Sequence, residues 1–242
     1  MAYINILFPV YNEKLRLENG VKRSIDYMEA RYPNEYKLTI IDNASTDETP
    51  QIAEKLCNEY SQVHYIRIPE KGVGAAVRAG IRNNEEPIVG YMDVDLSTDI
   101  THLTDVVEIF KKDKTIDMVN ASRWSKESDT KGRKWYRNVT STGLTILLKL
   151  ALKMKASDAI CGFKFWKKES VERLITEAGE SENGWFYIIE LLLRAERLGM
   201  KICELPVRWQ DDYNTKVTVI PLVKNYCKQI IRLRKVFYNE GR

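Results

Sequence analysis

The sequence lacks the long apolar runs of membrane-spanning proteins and the closely spaced cysteines of disulfide-rich or zinc-binding ones. No segment reaches the roughly 20 uninterrupted apolar residues of a spanning helix. The four cysteines are far apart, with no Cys-x-x-Cys pair: Cys57, Cys161, Cys203 and Cys227. We interpret them as reduced thiols of a cytoplasmic protein. The two histidines are too few for a zinc site built from histidine.

Charge of one sign is also scarce. Lysine and arginine number 38 against 34 aspartates and glutamates, a formal net charge of +4. This excess is too small to indicate nucleic-acid binding. The N-terminal residues lack the basic region and cleavage site of a signal peptide. We therefore expect a cytoplasmic protein that is at most peripherally associated with a membrane.

Short apolar runs alternate with helical patterns through the first half of the 242 residues. The predicted strands are Ile4–Val10, Lys37–Ile41, Val63–Ile68, Pro87–Met92 and Asp117–Ala121. Repeated β-α-β units predict an α/β fold, with a mostly parallel central sheet and helices on both faces. Ligands of such sheets bind beyond the carboxyl ends of the strands.

The second half is less regular. Arg123–Arg137 is polar and basic, and we predict a loop there, followed by a helix over Val139–Met154 with a broad apolar side. A basic C-terminal helix is predicted over 221–242, with Lys224, Lys228 and Arg232 at helical spacing. We expect one catalytic domain over 1–220, divided into halves 1–122 and 123–220.

Acidic residues follow three predicted strands: Glu13 after the first, Asp42 after the second, and Asp93 with Asp95 after the fourth. Asp47 lies slightly beyond Asp42. Asp47 alone is best explained as a turn or capping residue. Side chains two apart on an extended strand lie on the same side, so Asp93 and Asp95 can face one cation. Mg²⁺ or Mn²⁺ often binds through one or two carboxylates plus substrate phosphates. A lone Asp-x-Asp is common in loops, but its position at a strand end favours a metal site.

Small residues dominate the segment from Gly72 to Gly80. They would let a helix start approach either a bound nucleotide or the sheet itself. The spacing matches neither a P-loop nor a dinucleotide-binding fingerprint. Both interpretations, nucleotide binding and tight helix packing, stay open at this point.

The ordered set of motifs resembles family-2 glycosyltransferases of the GT-A fold, over nearly the whole chain. The resemblance is closest to the branch that makes polyprenyl-phosphate sugars, which includes dolichyl-phosphate glucosyltransferase and dolichyl-phosphate mannose synthase. The matching segments are Tyr11-Asn12-Glu13, Asp42 to Asp47, Gly72 to Gly80, Asp93 to Ser97, Ser122-Arg123, Asp158 to Lys164, Trp185 with Glu190-Leu191-Leu192, and Glu204 to Val207 with Trp209. The family's fold joins a Rossmann-like nucleotide-binding half to an acceptor-binding half.

The resemblance also implies roles for individual residues. The predicted nucleotide ligands are Pro9, Tyr11, Glu13, Asp42, Gly72, Arg78 and Asp93. The predicted catalytic residues are Asp93, Asp95 and Asp158, with Asp93 and Asp95 binding Mg²⁺ or Mn²⁺. The predicted phosphate and acceptor ligands are Arg123, Arg133, Arg137 and Lys216.

Four positions depart from the family's pattern. Asn43 and Ala44 replace the second acid and the glycine of its D-D-G-S motif. Val73 stands where a lysine is common, and Ile188 stands where the family has an aspartate. These departures leave open how the base of the nucleotide is recognised. They also leave open what replaces the aspartate that is missing at Ile188.

The nature of the acceptor follows from charge. A hydroxyl acceptor needs a general base, for which Asp158 or Glu190 would be candidates. A phosphate monoester, with a second pKa near ~6, is already largely anionic at pH 7. The basic run before the apolar helix Val139–Met154 suits a phosphate and a membrane surface. It is equally explained as a solvated loop leading into a core helix.

We therefore expect an inverting hexosyltransferase that uses a nucleotide sugar, with UDP-glucose favoured over GDP-mannose. Its acceptor would be a polyprenyl phosphate at the cytoplasmic membrane face. A membrane-anchoring partner protein or a homo-oligomer would fit the basic tail. Two alternatives stay open: a soluble GT-A enzyme acting on a saccharide or protein hydroxyl, and a non-catalytic nucleotide-sugar-binding subunit.

Overall fold

The computed structural model describes residues 2–131, 135–180, 182–210 and 219–240, with the backbone alone at 131, 135–139 and 219–223. The strands are β1 (Ile4–Val10), β2 (Tyr36–Asn43), β3 (Val63–Ile68), β4 (Ile88–Met92), β5 (Met118–Ser122), β6 (Asp129–Lys131), β7 (Phe163–Lys167), β8 (Ile202–Pro206) and β9 (Arg208–Gln210). The helices are α1 (Leu17–Glu29), α2 (Thr49–Glu59), α3 (Val73–Arg82), α4 (His102–Lys112), α5 (Trp135–Leu152), α6 (Lys168–Ala178), α7 (Trp185–Arg197) and α8 (Val219–Glu240).

A seven-stranded sheet in the order β3-β2-β1-β4-β7-β5-β8 forms the centre of the fold. β7 runs antiparallel to both of its neighbours, β4 and β5, and every other pair in this sheet is parallel. The carboxyl ends of β1, β2 and β4 therefore open on the same edge. β6 and β9 form a separate two-stranded sheet. This architecture confirms the predicted mostly parallel sheet.

Two apolar cores sandwich the sheet, one on each face. α1, α2 and α4 pack on one face, through residues such as Val21, Leu56 and Leu103. α3 and α5 to α8 pack on the other face, where Trp166 and Leu192 are buried. The central strands are apolar on both sides because both sides are covered by helices. β1 is buried at nearly every position for this reason.

The segment Arg123–Arg137 is not the continuous loop predicted from its polarity. Asp129–Lys131 forms β6, and the following helix already begins at Trp135 instead of Val139. β6 was missed because its pairing with Arg208–Gln210 of β9 connects residues nearly 80 positions apart in the sequence. Three polar residues carry no local signal for such a pairing.

The predicted C-terminal helix is present as α8, and one of its three evenly spaced basic residues faces inward. Arg232 turns inward, where its Nη2 donates to Oε2 of the fully buried Glu190 on α7. The basic stripe that faces outward is formed by Lys224, Lys228 and Lys235. Within the described residues, no helix is long and apolar enough to cross a bilayer.

Left-handed backbone conformations mark the loops at the carboxyl edge of the sheet. Asn12 follows β1 with φ +55°, Ala44 follows β2 with φ +66°, and Leu96 follows β4 with φ +56°. Gly72, after β3, has φ +129°. A non-glycine residue in this region costs about 1–2 kcal/mol, which surrounding structure must offset. The strain is concentrated where the parallel strands end.

Replacing Ala44 by glycine should stabilise the protein, because glycine adopts a positive φ without a Cβ clash. We expect Ala44→Gly to raise the free energy of unfolding by about 0.5–1 kcal/mol, after the greater entropy of glycine in the unfolded chain is allowed for. Urea denaturation measures the change. Ala79→Gly, inside α3, is the matched control and should instead lower stability by about 1 kcal/mol. Equal losses of unfolding free energy in both variants would contradict the backbone strain inferred at Ala44.

Candidate active site

Hydrogen bonds tie the loops after β1 and β2 into one rigid rim. The Asn12 backbone N–H donates to Ser45 Oγ (2.9 Å), and the Thr46 N–H donates to Asn12 Oδ1 (2.8 Å). The Glu13 N–H donates to Thr49 Oγ1 (2.8 Å) at the start of α2. Asp47 Oδ1 accepts from the Thr49 N–H (3.0 Å), two residues further on, which confirms the interpretation of Asp47 as a turn residue. These bonds offset the strain of the left-handed residues.

Asp93 and Asp95 lie on the loop that follows β4, as predicted from the strand end. The Asp93 N–H donates to Gly162 O (3.3 Å), and Asp95 Oδ1 accepts from the Ser97 N–H (2.9 Å). Shielding from water and the nearby Asp95 carboxylate raise the pKa of Asp93 to about 8. The two carboxylates therefore repel each other in the absence of a cation.

This carboxylate pair fits a hard divalent cation. Among the described residues, no cluster of three or more His, Cys, Asp or Glu side chains gathers around one point. The protein would thus supply two carboxylate oxygens and leave the other positions to substrate phosphate and water, an arrangement that Mg²⁺ accepts. A cation between Asp93 and Asp95 would also relieve the repulsion that raises the pKa of Asp93.

Arg16 lies beside the pair and was not singled out by sequence analysis. Its Nε donates to Glu13 Oε2 (2.6 Å) and its Nη2 to Glu13 Oε1 (2.8 Å). Its Nη1 lies 4.0 Å from Asp95 Oδ2. Arg16 therefore fixes the predicted nucleotide ligand Glu13 close to the predicted metal ligand Asp95. Its spacing of three residues from Glu13 was the available signal.

Asp42 is fully buried rather than open to a ligand. Its Oδ1 accepts from the Ser45 N–H (2.8 Å) and its Oδ2 from the Tyr65 hydroxyl (3.1 Å), with Arg67 Nε at 3.6 Å. The carboxylate thus orders the loop after β2. In place of the predicted direct nucleotide contact, the structure gives Asp42 a positioning role.

Asn43 joins three loops through its side-chain amide. Its Nδ2 donates to Val10 O (2.7 Å) and its Oδ1 accepts from the Gly72 N–H (3.0 Å). A carboxylate could accept the second bond but could not donate the first. The departure from the family's aspartate therefore has a local structural use.

The other predicted nucleotide ligands divide into exposed and buried groups. Tyr11 is exposed and its hydroxyl bonds to Lys71 Nζ (2.8 Å), while Pro9 is partly exposed near the end of β1. Glu13 is partly exposed as well. These three residues border the edge where the Asp93–Asp95 loop begins, so they are available to a ligand.

Gly72 and Arg78 are used for packing. A Cβ on Gly72 would lie 2.1 Å from Asn183 O, so no larger residue fits there. Arg78 is buried, and its guanidinium donates to Glu182 O (3.3 Å) and Asn183 Oδ1 (2.7 Å). Of the two interpretations of this glycine-rich segment, tight packing explains these contacts. The predicted nucleotide contact of Arg78 is corrected to a positioning role at the turn before α7.

Arg123 and Asp158 form a buried ion pair. Arg123 Nε donates to Asp158 Oδ2 (2.7 Å) and Nη2 to Oδ1 (3.1 Å). Burial alone would raise the pKa of Asp158, but the Arg123 guanidinium outweighs it and lowers the pKa to about 2. Asp158 has no exposed surface with which to touch a reactant. The structure therefore gives it a positioning role in place of the predicted catalytic one.

Lys164 is a second buried cation at this place, and sequence analysis assigned it no role. It is fully buried on β7, and its Nζ donates to Cys161 O (2.7 Å). Burial lowers its pKa, while the carboxylates of Asp158 and Asp93 oppose that shift. A single lysine within the otherwise apolar run Phe163–Trp166 was the available signal.

A cavity of about 470 Å³ opens beside Asp95. Its lining includes Asp95 and Ser97 from the β4 loop, Arg23 from α1, and Arg208 and Trp209 from β9. The Arg123 guanidinium lies 5.3 Å from the centre of the Trp209 ring. The cavity thus connects Asp95, one of the two predicted metal ligands, with residues of the second half of the chain.

Other residues singled out in the sequence are either outside the described residues or buried in the core. Arg133 and Lys216 lie outside the described residues, as does the side chain of Arg137 in the first turn of α5. Glu190 is fully buried and bonded to Arg194 Nε (3.0 Å) and to Arg232. Ile188, where the family has an acid, is buried in the apolar core.

The chain matches known glycosyltransferases along most of its length. A family model described as glycosyl transferase family 2 matches residues 5–175. Glycosyltransferase AglD of Haloferax volcanii is 30% identical over 95% of this chain, which spans only 36% of that protein. Dolichyl-phosphate beta-glucosyltransferase ALG5A of Trichomonas vaginalis is 27% identical over 92% of this chain and 70% of its own length. The Saccharomyces cerevisiae enzyme of that name is 22% identical over 97% of this chain and 75% of its own length.

The structure is similar to glucosyl-3-phosphoglycerate synthase from Mycobacterium tuberculosis, solved in complex with uridine diphosphate. The TM-score is 0.68 at 20% identity, covering 95% of this chain and 78% of the other. This likeness supports the GT-A fold, in agreement with the mostly parallel sheet and the helices on both of its faces. Together with the family model and the AglD match, it leads to one conclusion: the chain belongs to glycosyl transferase family 2.

Proposed function

We propose that this protein is a metal-dependent hexosyltransferase that moves a sugar from a nucleotide diphosphate donor to a polyprenyl phosphate, with inversion at the anomeric carbon. One observation carries the choice of acceptor. Both carboxylates that were candidate bases, Asp158 and Glu190, are fully buried in ion pairs with arginines. Among the described residues, these two candidate bases are therefore unavailable, which favours an acceptor that is already an anion.

The donor would bind at the carboxyl edge of the sheet. Tyr11, Pro9 and Glu13 border the position for the nucleoside, and Asp93 and Asp95 the position for the diphosphate. A divalent cation held by Asp93 and Asp95 would supply Lewis acidity for the negative charge that develops on the departing nucleotide. Arg16 restrains Glu13 and lies within 4.0 Å of Asp95, so it keeps the two parts of the donor site in register.

The transfer then needs little proton chemistry. An acceptor phosphate oxygen attacks the anomeric carbon from the face opposite the diphosphate, and the electron pair of the breaking C–O bond leaves with the nucleotide. Arg123, whose Nε and Nη2 both donate to Asp158, contributes a fixed positive charge beside Asp93. Asp158 holds that guanidinium in one orientation. Such preorganised charge is worth more in a partly dry site than in water.

The donor sugar is proposed from the relatives. Those named dolichyl-phosphate beta-glucosyltransferase match 92–97% of this chain, and the mycobacterial synthase has been solved with Mn²⁺, UDP-glucose and phosphoglyceric acid. UDP-glucose is therefore the favoured donor and GDP-mannose the alternative.

A polyprenyl acceptor lies in a bilayer, so we propose peripheral association with a membrane. A membrane-anchoring partner protein or a second copy of the chain would be a further means of holding it there.

A donor and acceptor panel tests this proposal. We expect lipid-linked hexose from UDP-glucose and a short polyprenyl phosphate with Mg²⁺ or Mn²⁺, measured by chromatography of radiolabelled product. 3-Phosphoglycerate and simple saccharides are the control acceptors. Product on a saccharide hydroxyl without any lipid product would indicate the soluble alternative. Donor binding without transfer to any acceptor would indicate a binding subunit.

Removing one charge of the carboxylate pair should abolish transfer. We expect Asp95→Asn to lower kcat/KM by about 100-fold or more, because the cation contributes several kcal/mol to stabilising the leaving group. Calorimetric titration with Mn²⁺ should show a parallel loss of metal binding. Asp113→Asn, which removes a surface carboxylate paired with Lys201, is the control and should keep both properties. Full activity in Asp95→Asn would refute the metal assignment.

The pH dependence of kcat/KM should follow the ionisation of the acceptor phosphate rather than that of an enzyme group. Asp158, with a pKa lowered to about 2, stays ionised throughout the working pH range. It therefore adds no limb to the profile of kcat/KM against pH. Saturating metal would keep Asp93 ionised despite its raised pKa. Under that condition, kcat/KM should rise about tenfold per pH unit below ~6, where the acceptor phosphate loses its second proton, and level off above. A phosphonate acceptor, whose second pKa is higher, should move this limb upward. A limb unaffected by that change would indicate an enzyme base instead.

A further inference from the structure

α5 has an apolar face on each side. Leu148 and Leu152 pack into the core, whereas Ile146, Leu147 and Leu150 point away from it and are 52%, 39% and 79% exposed. These three side chains and Gly143 form the outer face of α5, opposite the buried side. A helix that is apolar all round is normally covered on all sides. Here one side has no cover within the described residues.

The outer face of the adjacent helix is basic. α5 and α8 pack against each other on the same side of the sheet. Lys224, Lys228 and Lys235 are exposed along the outward side of α8, together with Ile231, which is 60% exposed. Arg232, between them in sequence, is turned inward to Glu190. The outer faces of α5 and α8 thus place apolar side chains next to a stripe of lysines.

The charge of the molecule is polarised toward these helices. Trp135–Leu152 and Val219–Glu240 together contain seven basic residues and one acid, Glu240, which is paired with Arg194. Their net charge of +6 exceeds the +4 of the whole chain, so the remainder is net negative. A protein with this polarity turns one side toward an anionic surface.

We propose that the outer faces of α5 and α8 form a docking surface for an anionic lipid bilayer. The apolar side chains of α5 would enter the boundary between headgroups and acyl chains, and the lysines of α8 would contact anionic headgroups. A second copy of this chain is disfavoured as the occupant, because a two-fold contact would bring two net-positive surfaces together. The proposal rests on the proposed function, since it brings the site to an acceptor held in a bilayer.

Sedimentation of the full chain with vesicles tests this surface. We expect binding to vesicles that contain phosphatidylglycerol, much weaker binding to pure phosphatidylcholine, and weakening by salt. Leu150→Glu and Lys228→Glu should each weaken binding by about tenfold or more. Matched controls are Leu15→Glu, at an apolar position 87% exposed elsewhere, and Lys112→Glu on α4. Circular dichroism and thermal unfolding establish that every variant folds.

Three results would overturn the proposal. They are absence of vesicle binding by the unaltered chain, equal losses in the control variants, and a dimer in light scattering that Leu150→Glu dissociates. Vesicle binding is measured without donor or acceptor and so is independent of the reaction. Formation of lipid product in detergent, without vesicle binding, would refute the docking surface but leave the proposed function standing. Vesicle binding without transfer from any donor would refute the proposed function but leave the docking surface standing.

Discussion

Two carboxylates of like charge, Asp93 and Asp95, are held together at the end of β4, and the rest of the site is arranged around their repulsion. Limited access to water and the charge of Asp95 raise the pKa of Asp93, while Arg123 and Lys164 partly counter that shift. Lys164 is buried in the sheet itself, and Arg123 is fixed by Asp158. These cations reduce the repulsion without removing it, which leaves the pair able to attract a divalent ion.

The loops that carry this arrangement are strained and heavily bonded. The left-handed Asn12, Ala44 and Leu96 turn three chain segments sharply at one edge of the sheet. Side chains from one loop then satisfy the backbone of the next, as Ser45 does for Asn12 and Asn43 does for Gly72. A rim built in this way has little freedom to rearrange when a ligand binds. The geometry of the proposed donor site is therefore largely set before binding.

Sequence patterns predicted the parts of the structure that depend on local order. Ile4–Val10 is recognisable as a buried strand because it is apolar throughout, and Asp93 and Asp95 stand out because they end such a strand. Contacts between distant segments could not be predicted. The ion pair of Arg123 with Asp158 and the inward turn of Arg232 toward Glu190 each join residues more than 30 positions apart. The first of these pairings buries Asp158, which the sequence predicted to be catalytic.

β7 has a consequence for how the chain assembles. It lies between β4 and β5, antiparallel to both, yet it follows them in sequence by some 40 residues or more. During synthesis, the edge of β4 stays unpaired until Phe163–Lys167 leaves the ribosome, and β5 has no neighbour to join. An N-terminal fragment that ends at Ser122 would expose that apolar edge and tend to aggregate. The predicted nucleotide-binding half, 1–122, is thus not an independent unit of folding.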